Sequence, residues 1–436
     1  MSLSPHIGEP EDYFVKCLDL FYKYQFLFNS PNTDILVKNV LEQVKIKDLQ
    51  DIDVFHENFD IKNIHDSFIE DFYNEIRYIE PIYNDIEENN CLEYLIDAPI
   101  NPKKKHEIVY LAREVNNICK EIDCRVVVDF GSGLGYLDQL IYEITNFKVL
   151  GLECNDRHYI AAKMRQRKYH EESVQNVKYI RHTITEQSDA NIHEFLTQKF
   201  TDFNSFCITG LHACADLTID AINIFLKMRE AKALILMPCC YHRLRQNGGK
   251  FHNFPLSNCL KEIFQRYDDL DCLNVPFLRL AAQPKSGSAN VADLVFNLLA
   301  RAVLQLYAYR HCWKLKRNKR KAVNTKMMRN DFESYVQDAC NRGFTLIEND
   351  SSENNSHNPN FDIAELLSIW RQMTNLTFKK AAIFVRLQNS LQPIFENFVL
   401  YDRIIYLKEN GVSNCKIKKI FDENKSPRCL ALIAYK

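Results

Sequence analysis

Three glycines fall within five residues, at Gly131, Gly133 and Gly135, in a chain of 436 residues that holds only 11. Glycine is thus about 2.5% of the chain, against roughly 7% in ordinary proteins. A chain that avoids glycine and then concentrates it needs backbone geometry there that side chains would forbid. The preceding run, Val126-Val-Val-Asp-Phe130, is an apolar strand pattern, and a helical pattern opens at Tyr136. Strand, glycine loop and helix start form a cradle in which bare backbone N–H groups face a ligand.

The surrounding residues repeat that alternation. Strands are expected at 125–130, 148–153, 177–180, 206–210 and 233–237, with helices at 136–145, from 157, and at 216–230. Strands separated by helical segments predict a parallel sheet with helices on both faces. Residues 1–100 read as a helical N-terminal region, with helices at 11–29 and 66–78; a further helix is expected at 103–122. Residues 101–254 carry the first five strands of the core, and residues 255–390 read as a mainly helical insertion. A helix from Pro393 to Glu409 and two apolar segments around a Pro-containing turn close residues 391–436 as a terminal β-hairpin.

Composition narrows the classes. Lys and Arg total 55 against 57 Asp and Glu, which excludes a globally basic nucleic-acid coat while allowing a local patch. The run 310–329 is such a patch: nine Lys/Arg and no acid, with Tyr309 and Trp313 beside it. It reads either as a phosphate grip or as a solvated face. Fifteen scattered cysteines and a start without a basic and apolar leader lead us to expect reduced thiols and an intracellular protein, cytoplasmic or nuclear. In the apolar stretch 291–309, Asp293, Asn297, Arg301 and Gln305 recur every fourth residue, the polar stripe of a buried helix rather than a membrane span.

The loop chemistry points away from dinucleotides. A G-x-G-x-x-G fingerprint would put its third glycine at 136, where Tyr136 stands. Asp129, directly before the loop, would repel a pyrophosphate and suits a ligand bearing an ammonium group, such as S-adenosylmethionine. Glu153 ends the second strand about 20 residues on, where a carboxylate accepts hydrogen bonds from ribose hydroxyls. The expected cofactor set is Asp129, Gly131, Ser132, Gly133, Gly135, Tyr136 and Glu153. Two later segments, Gly210-Leu-His-Ala-Cys-Ala-Asp216 and Pro238-Cys-Cys-Tyr-His242, concentrate His and Cys at strand ends. His212, Tyr241 and His242 are the candidate bases for methyl transfer, with Cys239, Cys240, Lys103 and Lys104 on the substrate side. A zinc site from Cys214, Cys239, Cys240, His212 and His242 lacks the usual C-x₂₋₄-C spacing, so no metal is expected. The Pro-Cys pair also admits Cys239 as a covalent nucleophile.

These residues resemble the methyltransferase-like 25 family, whose members include a protein named for a ribosomal RNA adenine dimethylase-like domain. The likeness rests on Asn101-Pro-Lys-Lys-Lys-His-Glu107, Asp129-Phe-Gly-Ser-Gly-Leu-Gly-Tyr-Leu137, Gly210-Leu-His-Ala-Cys-Ala-Asp-Leu217 and Cys239-Cys-Tyr-His242. Asp402-Arg403 and the Phe421-Asp-x-x-x-Ser-Pro-Arg428 element complete it. It implies an α/β, Rossmann-like class I methyltransferase core of seven strands, S-adenosyl-L-methionine as cofactor, and a macromolecular acceptor. A related Cys-Cys-aromatic-His element in a transfer-RNA 2′-O-methylating family favours RNA over protein. Two departures stand out: Ala215 replaces a glycine usual in the family, and Leu280-Ala-Ala-Gln283 lacks a Cys-His pair common there. The rival reading is an inactive scaffold acting in protein interaction, against which the intact Asp129/Glu153 pair argues.

Overall fold

The structure is a computed structural model, and it describes residues 8–84, 86, 100–200, 203–267, 273–284, 290–318, 331–348 and 359–436. In chain order, α1 (Pro10–Tyr24), α2 (Ser67–Ile79) and α3 (Pro102–Glu121) precede the α/β run. That run is β1 (Val126–Phe130), α4 (Tyr136–Thr145), β2 (Lys148–Glu153), α5 (Asp156–Tyr169), β3 (Val177–Arg181), α6 (Asp189–Lys199), β4 (Phe206–Cys214), α7 (Asp216–Lys227) and β5 (Ala231–Cys239). A short pair, β6 (Gln246–Asn247) and β7 (Lys250–Phe251), leads to α8 (Asn258–Phe264), α9 (Val275–Ala281) and α10 (Val291–Arg310). Then come β8 (Trp313–Arg317), α11 (Phe332–Asp338), β9 (Phe344–Glu348), α12 (Ile363–Arg371), α13 (Asn375–Glu409), β10 (Cys415–Lys419) and β11 (Leu430–Tyr435).

The chain divides into two compact units: residues 1–18, 79–285 and 392–436 form the first, and residues 19–78 and 286–391 the second. The first is built on a seven-stranded sheet of order β10-β11-β5-β4-β1-β2-β3. Strands β1 to β5 pair in parallel, while β11 runs antiparallel to both β5 and β10. This is the sheet expected of a class I methyltransferase core, and the terminal hairpin completes it. Every residue of β1 is buried, and five of the six in β2, because helices cover both faces and leave no solvent side for polar residues. The strand order reverses between β1 and β4, and such reversals open a ligand crevice at the carboxyl ends of the strands. Asp129, Glu153, Cys214 and Cys239 all stand at those ends.

In the second unit, Phe296, Val303, Leu304 and Tyr307 of α10 pack with Tyr335, Leu346, Leu366 and Ile369 in one apolar cluster. Helix α10 is long and apolar enough to cross a membrane by those criteria alone, yet these side chains are buried in protein. Phe332 stacks on Trp370 with ring centroids 4.1 Å apart.

Several elements differ from the sequence reading, the short β6–β7 pair among them. Helix α6 was not anticipated, because its apolar residues are few and Ile192 and Leu196 alone are buried. The helical insertion contains the antiparallel pair β8–β9, in which Leu315 faces Leu346. Its strand β8 falls inside the basic run: Lys314, Lys316 and Arg317 are exposed, while the part of the run from 319 to 329 lies outside the described residues. Finally, the last helix begins at Asn375 and passes through Pro393 instead of starting there.

Candidate functional site

The glycine loop is tied down by the strand beside it. The N–H groups of Gly131 and Ser132 donate to the Leu152 carbonyl, at 2.9 and 3.1 Å. The Glu153 carboxylate accepts from Gly133 N–H at 2.9 Å and from Asn155 N–H at 2.7 Å. Glu153, at the carboxyl end of β2, therefore braces the loop. Gly133 has φ +58°, and a Cβ there would meet nothing closer than 4.0 Å. Gly135 departs from the expectation. A Cβ on it would lie 2.2 Å from the Tyr179 hydroxyl, so its missing side chain makes room for a buried tyrosine rather than for a ligand. Tyr136 offers its ring to two cations, the Arg165 guanidinium at 3.8 Å and Lys104 Nζ at 4.9 Å from the centroid. Lys104 is half-buried, which lowers its pKa, with Glu107 opposing and Arg165 adding to the fall.

Under the loop lies a pair of buried acids, of which the sequence reading saw only one. Asp129 is 2% exposed and Asp138, in the first turn of α4, is 0% exposed. Among the described residues, Asp129 Oδ1, both Asp138 oxygens and Ser132 Oγ meet no hydrogen-bond partner beyond the pairing of the two acids with each other. Burial pushes the Asp129 carboxyl up to about 7, with Asp138 pulling it down and Glu153 adding to the rise. Burial and the neighbouring Asp129 raise Asp138 well above the carboxylate range. Buried polar groups are normally satisfied. A bound ammonium group and hydroxyls are the chemistry this cluster lacks.

A second constellation forms at the end of β4. One extra residue is accommodated between Gly210 and Ala213, opposite Leu236 and Pro238 of β5. Within this bulge His212 adopts φ +60°, and bulges of this kind re-aim side chains. His212 Nε2 meets Glu107 Oε2 of α3 at 3.1 Å. The other oxygen, Oε1, accepts from Ser426 Oγ at 2.6 Å, and Lys103 Nζ stands 3.7 Å from it. Burial alone would raise the Glu107 carboxyl, but the hydrogen bonds from His212 and Ser426 outweigh it and hold it below its usual range. Three of the sequence signatures thus converge on one carboxylate.

The Cys-Cys-Tyr-His turn resolves into different roles. Tyr241 is fully buried, its hydroxyl donating to Glu396 Oε1 at 3.1 Å. Burial and the Glu396 charge push its pKa well above 10, so it is a packing residue and unsuited to be the base. Glu396 also pairs with Arg428 at 2.8 Å, and both are buried. The Arg of the Ser-Pro-Arg element is therefore half of a buried ion pair, and Asp402 accepts from the N–H groups of Leu256 and Ser257 ahead of α8. His242 is half-buried with an unpartnered Nδ1; burial lowers its pKa, as do the exposed Arg279 and Arg243 nearby. Cys214 Sγ and Cys239 Sγ are 3.0 Å apart. The contact with Cys239 holds the Cys214 thiol down at about 6, and that contact, with burial, raises Cys239.

Glu107, Asp138 and Ser426 carry geometry at the site that the sequence reading did not assign. The only signal was position: Asp138 sits just past the glycines, and Glu107 and Ser426 lie inside signature segments.

Comparison with known proteins agrees with the fold. Residues 103–247 match a family model described as a methyltransferase domain. The chain is 27% identical over 278 residues to the mouse protein named "Probable methyltransferase-like protein 25", covering 59% of this chain and 43% of that one. The human protein of the same name is 26% identical over 258 residues, 57% of this chain and 39% of its own length. The match thus spans less than half of these relatives. Among solved structures, coclaurine N-methyltransferase bound to N-methylheliamine and SAH matches at 12% identity, covering 51% of this chain and 63% of that one, with a TM-score of 0.21; a likeness of that size carries no argument. Residues 103–247 are thus similar to a methyltransferase domain. The chain as a whole is similar to part of the methyltransferase-like 25 proteins.

Proposed function

We propose that this chain is an S-adenosylmethionine-dependent methyltransferase acting on RNA. The observation that carries the reading is the buried acid pair Asp129 and Asp138, paired with each other beneath the glycine loop at the point where strand order reverses. Asp129, Asp138 and Ser132 fit the amino-acid end of the cofactor, and Glu153 the ribose hydroxyls. When bound, the cofactor supplies an electrophilic methyl group on a sulfonium.

The chain's own residues then position the acceptor and handle its proton. His212 lies three residues beyond Thr209, the register partner of Asp129 on the adjacent strand. Fixed by Glu107, it takes the proton that the acceptor's hydroxyl or amine gives up. Lys103, Lys104, Arg243 and Arg279 bring positive charge to the acceptor side, which suits a phosphate-bearing chain better than an uncharged one. A protein acceptor is the second reading.

Calorimetric titration with S-adenosylmethionine and S-adenosylhomocysteine tests the cofactor, and methyl-tritiated cofactor with fractionated RNA and protein extracts tests the acceptor. Label in RNA is the expected result. Label in protein alone overturns the acceptor, and absence of cofactor binding overturns the whole reading.

A further inference from the structure

Cys214 and Cys239 are register partners at the carboxyl ends of adjacent parallel strands. Cys240 follows in a left-handed turn at φ +51°, and it brings a third thiol to the pair. The three Sγ atoms all lie within 4.8 Å of one another. Cys239 is buried, whereas Cys214 and Cys240 are half-exposed, so the cluster has an inner wall and an open side. His212 and Ala215 on the adjoining segment also hold positive φ. Non-glycine residues in that region are strained and persist where surrounding structure enforces them. Two such residues stand on the segment beside the cluster, and the third, Cys240, belongs to it.

We infer that Cys214, Cys239 and Cys240 form a three-thiolate site for a thiophilic divalent cation of the zinc class. In sequence these same thiols lack the usual C-x₂₋₄-C spacing. Here the strand pairing supplies what local spacing does not, setting Cys214 against Cys239 across 25 residues of chain. Soft thiolate donors select zinc over oxygen-seeking cations. Three protein ligands leave a fourth tetrahedral position open, the arrangement of sites that bind an exchangeable ligand. A water or another exchangeable ligand completes the set. Binding displaces the thiol protons to solvent, so affinity rises with pH.

The test uses the purified full chain, reduced and metal-free, titrated with Co²⁺ as a spectroscopic probe and then with Zn²⁺. The expected result is thiolate-to-cobalt charge-transfer absorption saturating at one ion per chain and abolished by Zn²⁺. Cys240→Ser should weaken binding at least tenfold, since even outer-shell changes cost about 10–100-fold. A Cys214→Ser/Cys239→Ser variant should lose the absorption, with its thermal melting and circular dichroism showing that the fold survives. If that variant does not fold, Cys240→Ser, which alters a half-exposed residue, carries the decision. Absence of charge transfer in the wild type, its persistence in a folded variant, or a Cys214–Cys239 disulfide in the unreduced protein would overturn the site. The measurement needs neither cofactor nor acceptor, so its failure leaves the methyl-transfer reading untouched.

Discussion

Glu107 and His212 are 105 residues apart in sequence, and their side chains meet at 3.1 Å. The carboxylate comes from a helix ahead of the sheet and the imidazole from a bulge at the end of β4. General-base catalysis contributes typically 10²–10⁴-fold. His212→Ala should therefore lower kcat by about 10²–10⁴ without changing cofactor affinity. Glu107→Gln, which keeps the shape but removes the charge that orients His212, should lower kcat by at least about tenfold, again with the cofactor KM unchanged. A rise in cofactor KM with kcat intact would assign the pair to binding.

Asp129 gives the protein a distinctive pH dependence. Its folded carboxyl sits at about 7, against roughly 4 in an unfolded chain. Between those values the folded state holds a proton that the unfolded state has released, so unliganded stability falls as pH rises through about 7, and the further-raised Asp138 extends the fall. Asp129→Asn should make this trend shallower, leaving the part that Asp138 contributes, and be more stable than wild type at pH 8. Urea unfolding of both proteins from pH 4 to 8 checks it. Cofactor affinity in the wild type should rise with pH toward about 7, because an ammonium ligand requires the charged carboxylate, and the Asn variant should bind poorly throughout.

Two neighbouring glycines should fail differently. Gly135→Ala places a methyl where the Tyr179 hydroxyl already is, and the protein should lose several kcal/mol of stability or not fold. Gly133→Ala has free space and faces only the left-handed backbone cost, about 1–2 kcal/mol. That variant should melt slightly earlier and lose cofactor affinity. Equal loss of stability in both would mean the loop is rigid throughout.

Ala215 occupies φ +51°, ψ −125°, a region natural to glycine. Strain of this kind costs on the order of 1–3 kcal/mol, and glycine's extra unfolded-state freedom offsets about 0.4–1 kcal/mol. Ala215→Gly should accordingly raise stability by about 1 kcal/mol, read as a higher urea midpoint with unchanged slope.

The sheet was legible because buried parallel strands are continuous apolar runs, and the runs at β1 and β2 stand out against a charged chain. Helix α6 escaped because two buried residues make no stripe. In β8, Trp313-Lys-Leu-Lys-Arg317 alternates as a strand should, but the density of cations around it masks the pattern. At the site, single residues at strand ends were readable: Asp129 and Glu153 stand where the pattern put them. Relationships were not. Nothing local in Glu107 says that it will hold His212, and nothing in Gly135 separates a tyrosine from a ligand as the reason for its missing side chain. Tyr241, chosen for its hydroxyl, turned out to point into the protein because Glu396, 155 residues on, accepts from it.

The position of β11 between β5 and β10 sets an order of events during synthesis. Strand β5 ends at Cys239, but its partner begins only at Leu430. At about 5–20 residues per second, the ribosome leaves that edge open for roughly 10–40 s. An exposed apolar strand edge is a template for pairing with other chains. Ser426, which donates to Glu107, arrives on the same late segment. The half-made protein therefore has its glycine loop long before it has a closed sheet or a completed Glu107 cluster, and chaperone dependence should be greatest while α10 to α13 emerge.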